Sequence, residues 1–384
     1  MNEPVASAAF GARTEITGAR RVVVKVGSSS LTDSSGALDI ARMETLVDAL
    51  AAARERGQDV VLVSSGAMAS GMGPLRMRHR PRDLASKQAA ASVGQSLLVG
   101  RYSSLFARHG LTVGQVLLTV EDVARQDHYC NALRTFTRLI ELGVVPIVNE
   151  NDTVATHEIR FGDNDRLAAL VAHLVGADAL ILLSDVDALY TEHPSHPAAQ
   201  PISVVPDVEE LEVDTSGHGA EVGTGGMETK LQAARIATAS GIPVVLAAAS
   251  HVAEALEGRP VGTLFEATGK RRARKLMWLA YASVSQGELV LDAGAVKAVT
   301  ERKASLLPAG IVEVRGTFQA GDPVRLVGES GTVVARGLVA YDSAELPGII
   351  GRSTRDLVAE RGAGFDREVV HRDDLIVRAR KKRA

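Results

Sequence analysis

Gly223-Thr224-Gly225-Gly226-Met227-Glu228-Thr229-Lys230 sets three glycines ahead of a lysine where a helix is predicted to begin. Glycines let successive N–H groups close around an anion, a helix N-terminus adds partial positive charge, and a lysine supplies a full one. A nucleotide phosphate suits that chemistry. The stretch is not a Walker A loop, which needs Gly, four residues, Gly, then Lys and Ser or Thr. A glycine-rich surface turn with a solvated lysine would read the same way, so its neighbours must decide.

Five other polar clusters stand out, four of them directly after predicted strands. Lys25, Gly27, Ser28 and Ser29 end the run Val22-Val23-Val24, and a lysine inside so apolar a run is unusual for a surface residue. Ser64-Ser65-Gly66 follows the second strand, where it could also cap a helix. Asn149-Glu150-Asn151-Asp152 and Gly162-Asp163-Asn164-Asp165 put carboxylates and amides at a sheet rim, where they could hold an amino-acid substrate or a metal. The EF-hand pattern fails for want of a bidentate Glu, and Asp163 or Asp165 could instead cap a helix beginning near Arg166. Ser184-Asp185-Val186-Asp187 could contact the base and ribose of a nucleotide, or form a plain turn. The sequence contains no Rossmann fingerprint, nucleophile elbow or zinc-ligand spacing. His79, His193 and His196 read as solvated loop residues.

The elements that must position these groups alternate strand and helix. Arg21 to Val26, Val60 to Val63, Val113 to Leu118, Val144 to Val148, Ala179 to Leu183 and Pro243 to Leu246 are predicted strands. Helices are predicted over Ile40 to Arg56, within Asp83 to His109, over Tyr129 to Leu142 and over Met227 to Ser240. The expectation is an α/β fold with a mostly parallel open sheet, which takes its ligands at the carboxyl ends of the strands.

Bulk properties set the frame. A chain of 384 residues favours two domains, and 46% hydrophobic with 23% charged residues is an ordinary globular balance. A net charge of −3 offers no global basic field for nucleic acid. The lone Cys130 cannot form an internal disulfide; it reads as a small buried hydrophobe and favours a reducing, cytoplasmic setting. The first twenty residues lack an apolar core and read as a loose extension rather than a signal peptide. The apolar run Leu167 to Leu183 is broken by His173, Gly176 and Asp178, so helix then strand is expected there rather than a membrane span.

Taken in order, Lys25-Val26-Gly27-Ser28-Ser29, Ser64-Ser65-Gly66-Ala67, the two acidic-amide clusters and the glycine stretch closely resemble the glutamate 5-kinases of the amino acid kinase superfamily. The resemblance implies transfer of the ATP γ-phosphoryl group, with Mg²⁺, to the side-chain carboxylate of L-glutamate, the first step of proline biosynthesis. It makes Lys25 and Lys230 the lysines that stabilise the transferring group, with Asp165 holding both in register. Ser65, Asp152 and Asn164 match the glutamate contacts, with Asn149 and Asp163 in support. Lys25, Ser184, Asp185 and the run Thr224, Gly225, Gly226, Met227, Glu228, Thr229 and Lys230 match the ATP contacts. No protein ligand to the metal is implied. Feedback inhibition by proline and a homo-oligomer are also implied. Ala188 departs from the usual glycine of its turn and puts that backbone shape in question. A kinase for acetylglutamate or aspartate is the competing enzyme.

Beyond Phe265 a charged connector, Lys270-Arg271-Arg272 and Arg274-Lys275, precedes a glycine-punctuated, strand-rich segment that resembles a PUA domain. The expected organisation is an extension over 1–19, a kinase domain over 20–265, a linker over 266–285, a PUA domain over 286–364 and a C-terminal segment over 365–384. The module raises a rival function, RNA binding through the connector and the basic tail Arg378 to Arg383. Solvated linker and tail fit the net charge better, and aromatics for base stacking make up only 3% of the chain.

Overall fold

The computed structural model describes residues 13, 16–33, 37–124, 126–154, 164–211, 226–268, 285–361 and 367–377. Two compact units divide at Arg272 and Ala273.

The first unit is built on an eight-stranded sheet. Its strands are β1 (Arg21–Val26), β2 (Asp59–Ser64), β3 (Val113–Leu118), β4 (Val145–Glu150), β5 (Ala179–Ser184), β8 (Val204–Val205), β9 (Val244–Ala248) and β10 (Thr263–Phe265), with β6 (Leu189–Tyr190) and β7 (Pro201–Ile202) forming a separate ribbon. The order is β3-β4-β2-β1-β5-β9-β10-β8. Six strands from β3 to β9 run parallel, and β10 turns against β9. Parallel strands are covered on both faces, which is why β1, β4 and β5 read as continuous apolar runs rather than alternating ones.

The covering helices are α1 (Ser28–Leu31), α2 (Ile40–Glu55), α3 (Ala67–Met72), α4 (Leu84–Ala107), α5 (Val120–Ala124), α6 (Gln126–Glu141), α7 (Asn164–Val175), α8 (Met227–Ala239) and α9 (Val252–Leu256). Asp39 and Asp83 start α2 and α4 by accepting from the N–H groups of Arg42 and Ser86. Only Arg166 of α7 escapes burial, so this helix is fixed on every side and can carry a precise site at its start. Helices α3 and α4 cross at glycines. A Cβ on Gly94 would lie 1.6 Å from the Ala67 carbonyl oxygen, and one on Gly71 would lie 1.9 Å from that of Ala90. Backbone meets backbone there, a contact no larger residue permits.

The core joins Val22, Val24, Leu62, Ile147, Ile181 and Val245 from the strands to Met43, Leu50 and Phe106 from the helices. Burial of each such side chain contributes about 1.5–3 kcal/mol. Cys130 departs from expectation and is exposed on α6. Tyr129 and Phe136 take the buried positions on that helix. Ala188 is buried and does not adopt positive φ, so its turn makes no demand for glycine.

The second unit carries a five-stranded sheet, β12-β11-β13-β14-β15, made of β11 (Gly287–Leu291), β12 (Ile311–Gly316), β13 (Pro323–Gly328), β14 (Val333–Leu338) and β15 (Leu375–Val377). Leu289, Leu291, Val324, Leu326 and Tyr341 form its own core. Helices α10 (Ala293–Thr300) and α11 (Thr354–Arg361) complete it. The charged connector and the basic tail lie outside the described residues. Among the described residues, no helix is long and apolar enough to cross a membrane.

Candidate active site

Lys25 is the penultimate residue of the central strand, level with Val63 of β2 and Leu182 of β5. It is a buried central-strand lysine, not an edge one. A buried ammonium is costly unless paired. Its Nζ lies 2.5 Å from Oδ1 of Asp165, in the first turn of α7, and Lys230 Nζ lies 3.4 Å from Oδ2 of the same carboxylate. Thr229 donates its hydroxyl to Oδ2 at 2.8 Å. Burial pushes the Asp165 carboxyl up, but the two lysines outweigh it and hold the group well below the ordinary carboxylate range. Burial lowers Lys230, with Asp165 opposing and Lys25 reinforcing the shift. Two ammonium groups around one carboxylate leave this buried cluster with a net positive charge.

Helix α7 begins at Asn164, so Asp165 lies inside it and spends its carboxylate on the lysines instead of a helix cap. Ser65 does not cap α3 either. Gly66 takes that place in the left-handed region, with φ of 97°, while the Ser65 hydroxyl accepts from Asn164. Thr229, expected among the ATP contacts, has its hydroxyl engaged with Asp165 and the Gly226 carbonyl.

Next to the lysines, a buried amide network links four elements. Asn164 Nδ2 faces the Ser64 carbonyl at 2.8 Å, Asn149 Oδ1 at 2.9 Å and Ser65 Oγ at 3.0 Å. Asn149 Oδ1 also accepts from the Glu150 N–H, and its Nδ2 donates to Gln95 Oε1. Ser64 Oγ pairs with the buried Tyr102 hydroxyl, whose pKa burial raises. Ser65, Asn149, Asp152 and Asn164 together line a cavity of about 660 Å³. Burial raises the Asp152 carboxyl to about 6, and no cation among the described residues offsets that.

Gly226 is the N-cap of α8 and provides no side-chain cap. The first N–H groups of a helix have no partner within the helix itself, and at α8 no N-cap side chain supplies one. Gly226 has φ of −85°, and an added Cβ would meet nothing within 4 Å among the described residues, so neither the backbone nor those neighbours require glycine. Ser184 is buried at the end of β5 and donates to the exposed Asp185, which raises the affinity of Lys230 for its proton. Met227 and Glu228 occupy the first turn of α8. Gly162, Asp163, Gly223, Thr224 and Gly225 lie outside the described residues. Gln95 and Tyr102, both on α4, were not expected at the site. Their signal is a polar atom at core spacing on a helix whose neighbours Ala91, Leu98 and Phe106 are buried.

Residues 20–248 match the amino acid kinase family, and residues 287–360 match the PUA domain. A glutamate 5-kinase from Salinispora arenicola is 60% identical over 367 residues, covering 95% of this chain and 100% of the relative. Another from Streptomyces coelicolor is 60% identical over 369 residues, covering 96% and 99%. This chain belongs to the glutamate 5-kinases of the amino acid kinase family. Within that family, the cluster of Lys25, Asp165 and Lys230 and the amide-lined cavity stand at the strand ends where an open parallel sheet takes its ligands.

Proposed function

We propose that the chain transfers the γ-phosphoryl group of ATP to the side-chain carboxylate of L-glutamate, giving glutamyl 5-phosphate, with the roles divided as follows. Lys25 and Lys230 stabilise the charge on the transferring group, and Asp165 sets their positions. The observation that carries this is the buried cluster itself, two lysines on one carboxylate, beside an amide-lined cavity. Phosphoryl transfer asks mainly for positioning and for fixed charge where the transition state needs it. The acceptor carboxylate is ionised at neutral pH and needs no general base.

Ser65, Asn149, Asp152 and Asn164 hold glutamate. The raised Asp152, whose charge no group among the described residues offsets, favours a free ammonium group over an acetylated amine, hence glutamate over acetylglutamate. Proline carries an ammonium group as well and competes for the same pocket. The open space at Gly226 and the uncapped start of α8 fit the phosphates of ATP, with Ser184 and Asp185 beside them. Mg²⁺ is carried largely on the phosphate oxygens and water, as that small, strongly hydrated ion usually is in phosphate sites. That ion would supply further neutralisation of phosphate charge.

Incubation with ATP, Mg²⁺ and single amino acids, followed by trapping with hydroxylamine, tests this. Hydroxamate should form with glutamate. Its absence with glutamate and appearance with aspartate or acetylglutamate would overturn the substrate assignment.

A further inference from the structure

Gln95, on α4, is buried and closes a ring of hydrogen bonds on one backbone residue. The Glu150 N–H donates to Asn149 Oδ1 at 2.9 Å, Asn149 Nδ2 donates to Gln95 Oε1 at 3.3 Å, and Gln95 Nε2 donates back to the Glu150 carbonyl at 3.3 Å. Gln115 adds a second donor to Gln95 Oε1 at 3.2 Å. Because a backbone N–H only donates and a carbonyl only accepts, the ring fixes which end of each amide is oxygen. Asn149 therefore turns its oxygen to Asn164, whose Nδ2 is committed to Asn149, Ser64 and Ser65. What remains is Asn164 Oδ1, a buried acceptor with no partner among the described residues, on a side chain that lines the cavity.

An acceptor must meet a donor. At neutral pH both carboxylates of glutamate are ionised and have no hydrogen to give, so the α-ammonium group is its only donor. We propose that Gln95, which touches no substrate, is a positioning residue: it locks Asn149 and, through it, Asn164, so that Asn164 Oδ1 accepts from the α-ammonium group of glutamate. Asp152, on the same cavity, takes the charge of that group. The inference rests on the glutamate reading above. The close crossing of α3 and α4 at Gly71 and Gly94 holds Gln95, the next residue, at a fixed distance from the Ser65 turn.

Gln95→Met keeps the length of the side chain and removes both polar ends. The KM for glutamate should rise at least tenfold, while the KM for ATP stays within twofold. The inhibition constant of glutarate, which has both carboxylates and no ammonium group, should also stay within twofold. Equal rises for glutamate and glutarate, or a rise in both KM values, would make Gln95 merely structural and overturn the proposal, as would an unchanged glutamate KM. If Gln95→Met does not fold, Gln95→Glu decides. It keeps the acceptor and loses the donor until it is protonated, so its glutamate KM should approach that of the unsubstituted chain as pH falls. A constant ratio between the two chains across pH overturns the proposal. Failure of the unsubstituted chain to phosphorylate glutamate at all would instead remove the reading on which this one stands.

Discussion

Lys25 Nζ and Asp165 Oδ1 are 2.5 Å apart, and neither side chain is more than 6% exposed. Removing one partner of so buried a pair leaves the other charge stranded, at a cost of about 3–5 kcal/mol. In Asp165→Asn two lysines are stranded. Turnover should be lost together with stability, as read by thermal unfolding at pH 7. Because the folded carboxyl lies well below its usual range, its stabilisation is present at neutral pH and is lost only as pH falls through and below that range. The gap in melting temperature between the two chains should therefore shrink only in acid, below about pH 4. A constant gap would mean that the carboxylate charge is not the source.

Lys230→Ala should lower kcat at least a hundredfold, the scale of losing one fixed transition-state donor, with little change in glutamate KM. Steady-state kinetics for both substrates check this. Glu228, half exposed on the same turn, is the comparison. If Glu228→Ala is as damaging, the shape of the turn matters more than the lysine.

Gly226→Ala should fold like the unsubstituted chain, since its φ is ordinary and the described residues leave the space around it open. Its KM for ATP should nevertheless rise, because the added methyl occupies the space proposed for phosphate. Unchanged melting temperature with unchanged ATP KM would remove the phosphate from this place.

The Asp152 carboxyl, raised to about 6, is neutral below that pH and charged above it. Glutamate KM should rise as pH drops below about 6. The raised folded value also means the buried charge destabilises the empty protein above pH 6 and not below the unfolded value near 4. Asp152→Asn should thus raise the melting temperature at pH 8, with the gain fading between pH 6 and pH 4, while weakening glutamate binding. Loss of stability at pH 8 would contradict this.

Gly94→Ala forces a methyl into the Ala67 carbonyl and should cost about 3 kcal/mol or more, or prevent folding. Gly100, on the same helix, has open space around its Cβ direction, so Gly100→Ala should stabilise by up to about 1 kcal/mol. Denaturation of the two variants side by side checks both signs.

Much of the site could be read from the chain because strands buried on both faces are unbroken apolar runs. Polar residues such as Lys25, Ser65, Asn149 and Ser184 stand out where those runs end. Gln95 did not stand out. A glutamine within a helix looks like any solvated residue until the stripe Ala91, Leu98 and Tyr102 around it is known to be buried. The pieces β8 and β10, of two and three residues, are too short to carry a period, so the antiparallel turn at that edge had no signature. Asp165 was open to a capping reading because an aspartate near a helix start usually is a cap, and only the two lysines brought from β1 and α8 decide otherwise.

Asn164 and Asp165 are consecutive, and neighbouring Cα atoms lie about 3.8 Å apart whatever else moves. One faces the amide network and the other faces the lysines. On the roles proposed above, a single peptide unit at the start of a buried helix is a ruler between the ammonium end of the acceptor and the phosphoryl group it attacks. A ruler of fixed length measures the acceptor. On those roles, aspartate, shorter by one methylene, would hold its carboxylate farther from the lysines than glutamate does when its ammonium group sits at Asn164.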